Sequence, residues 1–151
     1  LWDAHRHLDD TLAFLTGVRE RYAVGEAWEW GILWRGELVG TIGLHDVRRD
    51  HRRAEIGYTI ARAAWGNGVA TEAVRAVVAH TLGHGDLQRG EFQRIVAVVR
   101  VENLASQRVL EKAGFVREGT LHRHLFVKGA FWDLACFGIV AAEDGTEPPL
   151  G

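Results

Sequence analysis

Trp65-Gly66-Asn67-Gly68-Val69-Ala70 sets two glycines immediately before an amphipathic stretch. A glycine-rich turn that opens a helix exposes backbone N–H groups without intrahelical partners, and the helix dipole adds positive potential at that end. Such a turn suits an anion, with Gly66 and Gly68 leaving room for phosphate oxygens. Glycines before helices also serve plain turns, so the run alone leaves both readings open. Two other phosphate motifs fit less well. Gly66-x-Gly68-x-x-Thr71 lacks the third glycine of the dinucleotide fingerprint, and no Gly-Lys-Thr or Gly-Lys-Ser triplet supports a nucleotide P-loop. Glu55, on the segment before the loop, is either a carboxylate able to take a proton through water or an exposed strand residue. His122 and His124 share a side if their strand is regular, and either titrates near neutral pH. No Cys, His or carboxylate set at metal-ligand spacing accompanies that pair, so no metal is expected. Ser106, the one serine in the chain, falls three residues after Asn103, where it can reinforce a helix terminus.

Periodicity places these groups on elements. Asp9 or Asp10 is positioned to cap a helix carrying Leu12, Phe14, Leu15 and Val18. Trp28, Trp30, Ile32 and Trp34 alternate with other residues, Arg35-Gly36-Glu37 turns the chain, and residues 38–44 are β-rich, which predicts an antiparallel hairpin. The three tryptophans are expected as core and groove walls. A charged turn over 48–53 leads to a third strand over 54–60. Val69, Ala70, Ala73, Val74, Val77, Val78 and Leu82 recur at helical spacing, and Gly83, Gly85 and Gly90 end that helix. A β-branched strand follows over 94–101. Asn103 caps a short helix ending at Ala113, with Gly114 at the left-handed position beyond it. Strands over 115–126 and 130–140 join through Lys128-Gly129. The order helix, three strands, helix, strand, helix, two strands predicts a mixed α/β sheet rather than a doubly wound one.

The chain has 151 residues, 47% hydrophobic and 25% charged, enough for one domain that buries roughly 70% of its unfolded surface. One domain is expected over residues 1–142, with a polar tail over 143–151. A formal net charge of -2 offers no general attraction to nucleic acid or an anionic membrane. Cys136 has no internal disulfide partner, and no apolar run approaches the ~20 residues of a membrane helix. A reducing, cytoplasmic setting is the expectation. No signal peptide is visible, and the first residue is Leu1 in a chain without methionine, so the translated protein is expected to begin upstream.

Glu55-Ile-Gly-Tyr-Thr-Ile60, the loop Trp65-Gly-Asn-Gly-Val-Ala-Thr-Glu-Ala73, Asn103-Leu-Ala-Ser106 and Leu110-Glu-Lys-Ala-Gly-Phe115 resemble successive motifs of the GNAT superfamily of N-acetyltransferases. Arg117-Glu-Gly-Thr-Leu121 and Lys128-Gly-Ala-Phe-Trp-Asp133 are similar to the closing hairpin of its RimJ/RimL branch, the ribosomal-protein alanine N-acetyltransferase type. The resemblance runs from about Trp2 to Val140 and departs in three places. Trp65 stands where the superfamily usually has Arg or Gln, Leu110 stands where many members have Tyr, and the family's first strand and helix would precede Leu1.

What the resemblance implies is a mostly antiparallel mixed sheet with a central splayed parallel pair, flanked by helices. It implies acetyl-CoA as cosubstrate and direct attack by an acceptor amine within a ternary complex. The acceptor would be a protein N-terminal α-amine ahead of a small-molecule amine. Trp65, Gly66, Asn67, Gly68, Val69, Ala70 and Thr71 would hold the pyrophosphate, and a backbone N–H near Thr59 or Ile60 would polarise the thioester carbonyl. Ser106 would hydrogen-bond the departing thiolate in place of the missing Tyr, and Glu55 is a candidate base. Some relatives carry a carboxylate at the position of Leu125, a base that does not transfer here. Asn103 would touch the CoA arm, while Arg108 and Lys112 would meet nucleotide phosphates or remain solvated helix charges. A homodimer is also implied. The alternatives are a CoA-binding sensor that has lost turnover and, more remotely, a dinucleotide-dependent oxidoreductase that NAD rather than CoA would protect.

Overall fold

The structure is a computed structural model that describes residues 8–83 and 92–142. In chain order it contains α1 (Leu8–Ala23), β1 (Trp28–Trp34), β2 (Glu37–Arg48), β3 (Arg53–Ile60), a 3-10 turn (Arg62–Ala64), α2 (Val69–Leu82), β4 (Arg94–Arg100), α3 (Leu104–Lys112), β5 (Val116–Val127) and β6 (Ala130–Val140). The strands form one sheet in the order β1-β2-β3-β4-β6-β5. Every neighbouring pair is antiparallel except β3 and β4. Those two are joined through α2, because a parallel pair needs a crossover long enough to return the chain.

Two hairpins owe their register to their turns. Arg35-Gly36 has φ of 53° and 83°, and Lys128-Gly129 has 50° and 80°. Positive φ at both central residues gives the primed turn whose twist matches the flanking strands. Period two then sorts the side chains. Ala54 and Ile56 of β3, Ile95 and Ala97 of β4, and Ala135, Phe137 and Ile139 of β6 join one core with Val74, Val77 and Val78 of α2 and Leu110 of α3. Trp28 belongs to that core, and Trp30 and Trp34 pack partly buried against it.

The sheet departs from regularity where a site can form. β3 and β4 are in register only at Arg53↔Arg94, Ala54↔Ile95 and Glu55↔Val96. Their outer partners continue, β2 to Gly40↔Ile60 and β6 to Arg100↔Leu134. The two central strands therefore part beyond Glu55 and Val96, leaving a V between their C-terminal halves.

Three expectations need correcting. Asp9 and Asp10 lie within α1, so neither is its N-cap, and Leu12 is exposed rather than part of a buried face. The side chains of Phe14 and Leu15, together with Gly85, Gly90 and the tail over 143–151, lie outside the described residues. β5 is not a regular strand: its register jumps from Leu121↔Leu134 to Leu125↔Trp132, so residues 122–124 bulge opposite Asp133. Among the described residues no helix is long and apolar enough to cross a membrane.

Candidate active site

The chain leaves β3 at Ile60, makes the 3-10 turn and enters α2 through the glycine loop. Gly66 and Gly68 have φ of 72° and 76°, and a Cβ on either would meet nothing within 4 Å. The left-handed backbone favours glycine at both positions, and the space above them is open. Gly68 is the N-cap of α2 and brings no side-chain cap. The N–H groups of Val69, Ala70 and Thr71, in the first turn, consequently lack intrahelical acceptors and point out of the helix end. The Asn67 amide instead donates to the carbonyls of Trp65 (2.9 Å) and Ala64 (3.3 Å), bracing the loop from within. Trp65 lies exposed on the loop with the Arg62 guanidinium 5.4 Å from its ring centroid, and its indole N–H donates to the Ile60 carbonyl at 2.8 Å.

The V has unequal lips. Ala61 N–H donates to Val39 O at 2.7 Å, continuing the ladder between β3 and β2. Backbone polar groups alternate sides along a strand, so Thr59 also faces β2, while Tyr58 and Ile60 turn their N–H groups toward β4. Of Thr59 and Ile60, it is Ile60 that presents an N–H to the opening. The Thr59 hydroxyl lies 3.4 Å from that of Thr41 on the neighbouring strand.

Across the V, α3 hangs from the end of β4. Gln107 donates from its amide to Val101 O at 2.7 Å, and Asn103 Oδ1 accepts the Ser106 N–H at 3.1 Å, capping the helix. At the other end Phe115 N–H reaches Leu110 O and Gly114 N–H reaches Glu111 O, both at 3.0 Å, with Gly114 at φ 94°. This is the left-handed closure expected there. Ser106 is half-buried beside the V, and Leu110 is fully buried in the core. Tyr58 bridges the opening by donating its hydroxyl to Ser106 O at 3.3 Å, and burial raises its phenol pKa so that the donor proton is retained. Arg108 and Lys112 are exposed. The Lys112 carbonyl accepts from Arg75, and Arg75 stands six residues along α2 from Val69, about 9 Å of helix rise from the loop. The Lys112 backbone thus lies beside α2, about a turn and a half beyond the loop.

Glu55 sits where the V begins, opposite His45 on β2 and Val96 on β4. Its neighbours Ala54 and Ile56 face the core, so Glu55 faces the opposite side of the sheet. Burial, and next the Asp46 carboxylate, raise the Glu55 pKa, while Arg53 and His124 oppose the shift. His122 is turned elsewhere. Its Nδ1 lies 2.8 Å from Asp133 Oδ2, and Asp133 Oδ1 accepts the Arg123 N–H at 2.7 Å. The Arg123 N–H, and then His122, hold the Asp133 pKa below the usual range. The bulge thus separates the two histidines: His122 pairs with Asp133, and His124 adds positive potential at Glu55. Among the described residues no group of three or more His, Cys, Asp or Glu side chains is placed to hold a metal ion.

Sequence reasoning missed Tyr58 and the inward role of Trp65. Tyr58 packs against the core, and the partner of its hydroxyl lies 48 positions away. No local pattern encodes that contact.

A mixed sheet parted at a central parallel pair, with an uncapped helix end at its mouth, is the architecture of an acyl-CoA N-acyltransferase. Residues 2–116 match the acetyltransferase (GNAT) domain family, and the chain belongs to that family. It is an N-acetyltransferase. It is 42% identical over 135 residues to the uncharacterized N-acetyltransferase YoaA of Bacillus subtilis, an alignment covering 88% of this chain and 73% of YoaA. It is 30% identical to the ribosomal-protein-serine acetyltransferase of Escherichia coli, with 83% of this chain and 68% of that protein covered. Among solved structures, Mycobacterium smegmatis RimJ in complex with CoA-disulfide superposes with a TM-score of 0.80 at 33% identity, covering 91% of this chain and 63% of that one. A CoA complex of RimL, the ribosomal L7/L12 alpha-N-protein acetyltransferase, shares the fold with a TM-score of 0.81 at 22% identity, with 88% and 72% covered.

Proposed function

We propose that the protein transfers the acetyl group of acetyl-CoA to a primary amine, a protein N-terminal α-amine ahead of a small-molecule amine. The carrying observation is the uncapped N-terminus of α2 at the mouth of the V, with the Ile60 N–H on one lip and Ser106 on the other. The names of the E. coli relative and the RimJ complex support the acceptor and the cofactor respectively.

The pyrophosphate lies against the N–H groups of Val69, Ala70 and Thr71, where glycine leaves the approach open. The pantetheine arm enters the V between Ile60 and α3, passing Asn103. Glu55, whose raised pKa makes it a stronger base than an ordinary carboxylate, takes a proton from the acceptor ammonium through water. The amine nitrogen attacks the thioester carbon, forming the C–N bond and moving the carbonyl electron pair onto oxygen, where the Ile60 N–H receives it. Collapse reforms the carbonyl and breaks the C–S bond. The sulfur leaves with its electron pair, hydrogen-bonded by the Ser106 hydroxyl, and takes up the proton that nitrogen sheds. Arg108 and Lys112 act as solvated helix charges. The protein works in the cytoplasm as a homodimer, as relatives of this branch often do, without metal, nucleic acid or membrane.

Incubating the purified protein with acetyl-CoA and a panel of peptides and small amines, and following thiol release, tests the reading. Release that depends on a primary amine is expected. Tight CoA binding without release on any acceptor would instead identify a sensor.

A further inference from the structure

Trp65 occupies a cofactor-loop position, yet its one polar atom is turned back into the protein. The indole N–H meets the Ile60 carbonyl at 2.8 Å, a well-formed N–H···O distance. On the other side of the same peptide unit, Ala61 N–H meets Val39 O at 2.7 Å. The Ile60–Ala61 peptide plane is thus held at both ends. The preceding plane belongs to the paired part of β3, where Thr59 is opposite Thr41 on β2; β2 lies so near that a Cβ at Gly40 would stand 2.1 Å from Thr59 O. These two planes flank the α-carbon of Ile60. Together they fix the direction of the Ile60 N–H, which strand alternation turns into the V.

We propose that Trp65 is a positioning residue for acetyl transfer: by holding the Ile60 carbonyl, its indole N–H aims the Ile60 N–H at the oxygen that becomes negative during attack. The inference rests on the acetyl-transfer reading above and adds a role for Trp65 that is independent of touching the cofactor. β3 ends at Ile60, and β4 has already parted from it, so no neighbouring strand on that side constrains the carbonyl. The indole replaces the missing ladder bond. A donor aimed in advance needs no reorganisation when charge develops, so the effect appears in kcat rather than in ground-state binding.

The test uses Trp65→Phe, which removes the donor and keeps an aromatic ring, and Trp65→Gln, which regains a donor. Trp65 is exposed, so both variants are expected to fold, with thermal melts as the check. In Trp65→Phe, kcat is expected to fall roughly tenfold, a fraction of the loss seen when an oxyanion donor is removed outright, while the calorimetric Kd for CoA stays within about twofold. Trp65→Gln is expected to recover part of that loss. Independently of turnover, hydrogen exchange by NMR should show a protected Trp65 indole proton in the wild type and faster exchange of the Ala61 amide in Trp65→Phe. Unchanged kcat in Trp65→Phe, equal losses in Phe and Gln variants, or a weakened CoA Kd that accounts for the whole loss would each overturn the positioning role alone. A wild-type protein that neither binds CoA nor acetylates any amine would overturn the acetyl-transfer reading, and this inference with it.

Discussion

Glu55 and Ser106 are the two side chains to which the proposed acetyl transfer assigns chemistry, and each carries a distinct expectation. Burial and Asp46 raise the Glu55 pKa, so its proton is harder to remove in the folded chain than in the unfolded one. Below the unfolded value the carboxyl is neutral in both states and has no effect on stability. As pH rises through the window between the unfolded and folded values, the folded state retains the proton longer and stability falls; above the window the buried charge remains a destabilising group. Glu55→Gln is therefore expected to melt above the wild type near about pH 8 and level with it near about pH 3. The same variant should lose roughly a hundredfold in kcat, the lower range of general-base contributions. A Gln variant with full kcat would exclude Glu55 as the base. For Ser106, the Asn103 side chain already satisfies its backbone N–H, so the hydroxyl is not required for the cap. Ser106→Ala should lower kcat and kcat/KM by similar factors with CoA affinity unchanged. A loss of about 1 kcal/mol of stability with undiminished kcat would make the serine a helix-terminus residue instead. Both residues stand out in the sequence because each sits at a motif position. The Tyr58 and Trp65 contacts do not, since they depend on where β3 ends and on which side of it each backbone group turns.

At the scale of elements, the legible parts were those whose cause is local. The limits of α2 follow from helical apolar spacing between Gly68 and Gly83, and the α3 caps follow from Asn103 and Gly114. The β5 bulge was illegible because its cause is remote in sequence: Asp133 on β6 collects His122 and the Arg123 N–H, pulling three residues out of register. An alternation rule applied to 115–126 has no access to that bond and wrongly puts both histidines on one side. The glycine loop shows the opposite balance, because φ near 70° and open space above the loop were both implied by the residue type. Gly68→Asp should accordingly abolish most CoA binding. The aspartate would place a negative charge beside the helix end proposed to receive phosphate, and L-residues also resist that backbone conformation. Calorimetry on folded protein is the measurement, and affinity within about threefold of wild type would disconnect the loop from the pyrophosphate.

The whole molecule is two half-sheets that meet along a short line. β1, β2 and β3 with α2 form one side; β4, β6 and β5 with α3 form the other. They share one hydrophobic core beneath the sheet, but their polar and backbone links are few: the three paired positions of β3 and β4, the bond from Gln93 N–H to Arg52 O at 2.7 Å, the reach of Arg75 to Lys112 O, and the Tyr58 bridge to Ser106. On the proposed reading, a cofactor lying in the V would touch both sides, with the glycine loop and Ile60 from one and Asn103 and Ser106 from the other. It would therefore tie together what the backbone leaves apart. Saturating CoA at about 100-fold its Kd should stabilise the fold by about 2.7 kcal/mol, a rise in Tm of roughly 5–10 °C for a domain of this size. Hydrogen exchange should slow on both lips together, at Tyr58 to Ile60 and at Ala97 to Arg100, because bridging protects each half only while the other is in place. NAD at equal concentration should leave Tm unmoved, since the loop lacks the third glycine that close dinucleotide packing needs. A CoA shift with protection confined to the loop and β3 would mean that the nucleotide end binds without the arm entering the V, and the proposed path to Ser106 would fail.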